Sequence, residues 1–272
     1  MDVFSADWLG ICRRSVAVQR AIFARAPSIE ARTAYEGVGE GGDRSLAIDR
    51  RCEDAVFAEL EGLAAQGASF LAISEERGEV SFGSGGSARV VIDPIDGSLN
   101  ARRTLPSHSF SLALASGSSM ADVEFGYVYD FGAGEEFLAR RGAGAKLGGE
   151  PIAVAAPESG MELVGVESAE PEGSLAAIGA LAGKVYRLRV IGSIAITVAY
   201  VAAGRLDAML SLRSCRSVDA AAAQLILREA GGDVAFGELA LEQADLGLDA
   251  RYPIAAAPDR RGLALVLAAQ SA

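Results

Sequence analysis

Two aspartates three residues apart, Asp93 and Asp96, flank Pro94 in the string Asp93-Pro94-Ile95-Asp96-Gly97-Ser98-Leu99-Asn100, directly after the apolar run Val90-Val91-Ile92. Carboxylates are the ligands of hard divalent cations, and magnesium keeps waters and substrate phosphate in its remaining positions. Pro94 cannot donate to a strand ladder and helps to end it. Gly97 permits a tight turn and close approach of a ligand to the backbone. Ser98 and Asn100 are residues that begin helices. A strand end feeding a helix start leaves N–H groups and the positive helix end facing outward, which suits an anion. One short loop therefore offers oxygen ligands to a cation and N–H donors to a phosphate. Two more acidic sites stand in comparable places: Glu75-Glu76 after Phe70–Ser74, and Asp219 ahead of an alanine-rich run that Gly231-Gly232 closes. Singly, Asp219 reads as a helix cap, Glu75-Glu76 as a solvated turn, and the Asp93–Asp96 string equally as a cation loop or an acidic turn.

The elements that must carry these residues follow from periodicity. Apolar residues at helical spacing predict helices over 8–26 and 50–63. A glycine-rich stretch, Gly37–Gly42, separates them. Strands are expected over 70–74 and 89–92, with a turn over 83–87. Phe110, Leu112 and Leu114 alternate with Ser109, Ser111 and Ala113, and Val123 to Tyr129 alternates likewise. With 135–139 and 145–147 flanking a glycine turn, these predict an antiparallel sheet. After Pro151, strands over 162–166, 185–190, 207–210, 234–236 and 254–256 alternate with helices over 172–182, 193–203, 219–230 and 259–269. The reading is an α/β chain with two sheet-and-helix lobes, about 1–150 and 151–272, forming a single domain.

Composition narrows the class. With 272 residues, half of them hydrophobic, the chain can bury a sizeable core. No apolar stretch reaches the roughly 20 residues that span a bilayer, and the N-terminus lacks a basic region followed by an apolar run, so neither a membrane nor a secretory route is expected. The net charge of −11, with Lys146 and Lys184 the only lysines, argues against nucleic acid as a partner. An acidic enzyme acting on a phosphorylated substrate must cancel like-charge repulsion locally, and divalent cations do so. Cys12, Cys52 and Cys215 form neither a disulfide framework nor a zinc pattern, and are expected as buried thiols in a cytoplasmic protein. His108, the only histidine, falls in an alternating strand and is expected to be structural.

Taken together the segments resemble the inositol monophosphatase superfamily of magnesium-dependent, lithium-sensitive phosphatases. The first signature resembles Asp93–Asn100, the second Val218-Asp219 through Glu229-Ala230-Gly231-Gly232. Gly192–Ala195, Ala202–Asp207 and Phe137–Ala145 are similar to segments between them, so the resemblance covers about 45–260. It implies a layered αβαβα sandwich and a homodimer. It implies two or three Mg²⁺ ions on Glu75, Asp93, the Ile95 carbonyl, Asp96 and Asp219. It implies catalytic roles for Glu75, Ser98 and Asp49, phosphate held by the Gly97 and Ser98 N–H groups, and substrate contacts from Gly192 and Ser193. The reaction implied is in-line attack of a metal-activated water on a phosphate monoester.

The chain also departs from the commonest pattern. Ser98 replaces a more usual threonine, Val218 a tryptophan, and Ser45–Ile48 lacks a lysine. The stretch Asp207–Asp219 lacks the acidic residue that inositol-specific members use. It is similar instead to archaeal-type members that hydrolyse both fructose 1,6-bisphosphate and inositol phosphates, in which arginine here can hold a second phosphate. Arg213 and Arg216 are the candidates, set against a plain pairing with surface carboxylates. The expected substrate is inositol monophosphate and/or fructose 1,6-bisphosphate. Alternatives are a 3′(2′),5′-bisphosphate nucleotide, histidinol phosphate, or a non-catalytic regulatory protein that binds metal or phosphate.

Overall fold

Asp7 accepts a hydrogen bond from the Gly10 N–H at 2.9 Å and so starts α1 (Trp8–Arg25). The computed structural model describes residues 1–33, 47–157, 160–168 and 171–272; the Gly37–Gly42 stretch and Ser45–Leu46 lie outside the described residues. A short α2 (Ile29–Arg32) precedes α3 (Ala47–Ala65), which begins three residues before the periodicity predicts. The apolar stripes of α1 (Trp8, Ile11, Val16) and α3 (Val56, Phe57, Leu60) share one core cluster.

That cluster covers one face of the first sheet. Its strands are β1 (Phe70–Ser74), β2 (Gly78–Phe82), β3 (Arg89–Asp96), β4 (Ser109–Ala115), β5 (Val123–Asp130), β6 (Glu135–Arg140), β7 (Ala145–Leu147) and β8 (Glu150–Ile152), with a short α4 (Ser98–Arg102) after β3. The order is β2-β1-β3-β4-β5-β6-β7-β8. β1 and β3 run parallel and the remaining neighbours antiparallel. The sequence reading did not assign β2, which returns from the Glu75-Glu76 turn to pair along β1.

The second sheet takes its strands from β9 (Met161–Glu167), β10 (Val185–Arg189), β11 (Ala208–Ser211), β13 (Asp233–Phe236) and β15 (Ile254–Ala257), in the order β10-β9-β11-β15-β13. A two-residue ladder, β12 (Cys215–Arg216) with β14 (Arg251–Tyr252), stands apart. The helices are α5 (Pro171–Leu181), α6 (Ile194–Ala202), α7 (Ser217–Glu229) and α8 (Arg260–Gln270). α6 and α7 lie between the sheets in the largest core cluster, whereas α5 and α8 cover the far face of the second sheet. The layers therefore run α1/α3, sheet, α6/α7, sheet, α5/α8, the αβαβα sandwich expected.

The alternation in β4 reflects two buried faces of different kind. All seven residues of β4 are buried. Phe110, Leu112 and Leu114 face α1/α3, whereas Ala113 and Ala115 belong to the cluster around α6/α7. The period of two separates large from small rather than core from solvent. Small residues are needed because α7 comes very close: a Cβ built at Gly126 of β5 would lie 2.6 Å from the Ala222 carbonyl oxygen.

The three cysteines are buried and free. His108 is buried, its Nδ1 3.1 Å from the Leu105 carbonyl oxygen and its ring stacked on Phe131. Among the described residues no helix is long and apolar enough to cross a membrane.

Candidate metal and phosphate site

β3 ends irregularly. Asp93 pairs with Ser111 and Asp96 with Ser109, so three steps along β3 match two along β4. In a regular strand, residues three apart point to opposite faces; one extra residue at Pro94-Ile95 turns both carboxylates to the same side. Asp219 arrives in the first turn of α7, and ligand oxygens of Asp93, Asp96 and Asp219 all lie within 4.8 Å of one another.

Each carboxylate is oriented by local donors. Asp93 Oδ1 accepts from the Ile95 N–H at 2.9 Å. Asp219 Oδ2 accepts from the Arg216 N–H at 2.9 Å. Asp96 Oδ2 accepts from Ser193 Oγ at 2.5 Å and the Ala195 N–H at 2.7 Å, with Ser109 Oγ at 3.4 Å. Burial, reinforced by Asp96 and Asp219, holds the Asp93 carboxyl above the usual carboxylate range. Burial and the Asp219 charge do the same at Asp96, and burial does so at Asp219. Negative groups crowded out of water in this way call for positive charge, and an all-oxygen donor set fits magnesium.

Glu75 sits in the turn between β1 and β2. Buried Glu53 spans that turn, accepting from Ser74 Oγ at 2.5 Å and from the Arg77 N–H at 3.1 Å. Glu75 forms an ion pair with Arg216. Asp49, in the first turn of α3, shares a recess with Glu75, Glu76, Asp93, Ile95 and Ser98. Among the described residues its buried Oδ1 has no hydrogen-bond partner, and burial, then the Glu76 charge, push its carboxyl up to about 7. Among the described residues no hydrogen bond joins Asp49 to Ser98.

Gly97 has φ +84°, and a Cβ there would come within 2.8 Å of the Gly192 carbonyl oxygen and 3.0 Å of that of Ser107. Only glycine suits both the conformation and the closeness. The cleft so formed, of about 460 Å³, is lined by the carboxylates, Gly97, Ser98, Gly192, Ser193 and Arg216.

Of the site residues expected from sequence, all but two line this cleft, Asp49 lying in the adjoining recess and Arg213 elsewhere. Arg213 is exposed and lines a separate hollow with Leu212, Gly237, Glu238 and Gln270. The cleft also contains two residues the sequence reading passed over. Arg251 lies opposite Arg216 across the β12–β14 ladder, and nothing in its sequence neighbourhood marked it. Glu167 ends the apolar strand β9, the same strand-end carboxylate signal that drew attention to Glu75 and Asp93.

Comparison with known proteins agrees with this geometry. The family model described as the inositol monophosphatase family matches residues 14–270. A fructose-1,6-bisphosphatase/inositol-1-monophosphatase of Thermococcus kodakarensis is 37% identical over 211 residues, 76% of each chain. A namesake from Methanothermobacter thermautotrophicus is 31% identical over 240 residues, covering 84% of this chain and 83% of that one. A crystal structure of an inositol monophosphatase–fructose 1,6-bisphosphatase superposes with a TM-score of 0.81 at 26% identity, over 97% of this chain and all of that one. With matched residues running almost from end to end, and the two-sheet sandwich shared, the chain belongs to the inositol monophosphatase family.

Proposed function

We propose that this protein is a Mg²⁺-dependent phosphomonoesterase acting on inositol monophosphate and/or fructose 1,6-bisphosphate. The observation that carries the reading is the trio of Asp93, Asp96 and Asp219, with ligand oxygens within 4.8 Å, set beside the Gly97-Ser98 turn. Glu75, Asp93, the Ile95 carbonyl, Asp96 and Asp219 would hold two or three ions. Bound there, Mg²⁺ supplies Lewis acidity, lowering the pKa of water and neutralising charge on the phosphoryl oxygens. The chain's own groups do the positioning. Gly97 and Ser98 N–H groups face the phosphate, and the Ser98 hydroxyl and Glu75 hold the attacking water. Glu75 and Ser98 take its proton, with Asp49 in the adjoining recess supporting Ser98.

Arg216 and Arg251, paired across their ladder at the cleft, favour substrates with a second phosphate or a polyol ring at that side. This reading replaces Arg213 with Arg251 beside Arg216. The family reading also makes the working form a cytoplasmic homodimer, which light scattering tests for assembly.

The deciding experiment is phosphate release with and without Mg²⁺ from inositol 1-phosphate, fructose 1,6-bisphosphate, 3′-phosphoadenosine 5′-phosphate and histidinol phosphate, with lithium as inhibitor. Magnesium-dependent release, best with one of the first two, is expected. Absence of release from every substrate at every Mg²⁺ concentration would overturn it.

A further inference from the structure

Glu167 is 1% exposed, and burial raises its carboxyl above the usual range, a costly arrangement unless its oxygens are used. Both are. Oε1 accepts from the Ile191 N–H at 3.0 Å and lies 2.8 Å from Thr197 Oγ1; Oε2 accepts from the Gly192 N–H at 2.7 Å. The other side of the same two residues is held by Asn100 of α4. Its Nδ2 donates to the Ile191 carbonyl at 2.7 Å and to the Ser107 carbonyl at 2.7 Å, and lies 3.5 Å from that of Gly192. The N–H groups are gripped by a carboxylate from the second sheet, the carbonyls by an amide that follows the first sheet. Gly192 has φ +84°, and a Cβ there would lie 2.7 Å from Asn100 Nδ2, so the grip leaves no room for a side chain.

The segment held in this way runs directly into the groups that orient Asp96, namely Ser193 Oγ and the Ala195 N–H. We propose that Glu167 and Asn100 are paired positioning residues. They clamp Ile191-Gly192 from opposite sides, and through Ser193 and Ala195 they set the Asp96 carboxylate for its cation. This influence on the cation rests on the metal reading above; the clamp itself does not. Glu167 is not a catalytic residue, because both oxygens are engaged within the protein. A carboxylate is suited to the role because charge-assisted bonds to N–H groups are shorter and stronger than neutral ones.

Glu167→Gln keeps the shape but turns an NH₂ group toward a backbone N–H; Asn100→Ala removes the opposing grip. Amide exchange of the full-length chain, followed by mass spectrometry over 190–196, reads the clamp directly. Exchange at Ile191 and Gly192 is expected to accelerate at least about tenfold in each variant. Mn²⁺ binding, read from the electron-spin resonance of the free ion, is expected to weaken several-fold in each. The double variant should be no more than about twofold weaker than the worse single one, since both act on the same peptides. If Glu167→Gln fails to fold, Thr197→Val, which removes one donor to Glu167, should give a smaller change in the same direction. Unchanged exchange in the folded variants would overturn the clamp. Faster exchange with unchanged Mn²⁺ binding, or losses that multiply in the double variant, would overturn the link to Asp96. A wild-type chain that binds no Mn²⁺ would overturn the metal reading and the influence on the cation, while the exchange rates still judge the clamp.

Discussion

Asp96 is the residue on which most of the site converges: it belongs to the acidic trio and accepts from Ser193, Ala195 and Ser109. Asp96→Asn keeps the shape but places an amide where an anion and several donors meet. Phosphate release is expected to fall by at least about a hundredfold, more than typical losses for groups that only support a ligand. Arg251 offers a finer probe. With Arg216 already engaged by Glu75, Arg251→Ala should raise KM for fructose 1,6-bisphosphate by about tenfold, the worth of one charged hydrogen bond. KM for inositol 1-phosphate should change far less. Equal rises for the two substrates would show that Arg251 does not address a second phosphate.

At the scale of elements, the bulge in β3 and the alanine-rich α7 matter most. The bulge was only half legible. Pro94 signalled a strand end, whereas β3 continues through Asp96, because the register shift lets proline sit where a ladder bond is not required. β2 escaped notice because Gly78 opens it and only Val80 and Phe82 are apolar in its five residues. The ladder of Cys215–Arg216 with Arg251–Tyr252 was out of reach, since two-residue strands leave no periodicity. By contrast α1, β4, β5 and α6 were visible from spacing alone, since each buries a continuous stripe or face. Glu75, Asp93, Asp96 and Asp219 were marked by their places at strand ends and a helix start. Their meeting could not be read from spacing, because it depends on α7 lying against the first sheet. Gly126 tests that packing. Gly126→Ala places a methyl group against the Ala222 carbonyl and should cost about 1–3 kcal/mol in urea unfolding, as overpacking does.

For the whole molecule, the buried carboxylates are expected to couple stability to pH and, under the proposed function, to Mg²⁺. Groups whose carboxyls are raised on folding bind protons more tightly in the native state, so the metal-free protein should lose stability as pH rises from the usual 3.8 of aspartate to the level of about 7 given for Asp49 and Asp96. The expected outcome in EDTA is a higher Tm at about pH 5.5 than at about pH 8. Saturating Mg²⁺ should remove most of that difference and, at about 100-fold over its Kd, add roughly 2.7 kcal/mol at neutral pH. A Tm in EDTA that does not fall across that range would contradict the crowding of the trio. The placement of α6 and α7 between the sheets bears on the route to the native state as well. Asp93 and Asp96 come from the first sheet and Asp219 from the middle layer, so the acidic trio closes only when distant parts of the chain have docked. A nascent chain halted before α7 carries two of the three carboxylates. Cation capture would therefore act late, rewarding finished molecules over partly assembled ones, and would mark the end of folding rather than seed its beginning.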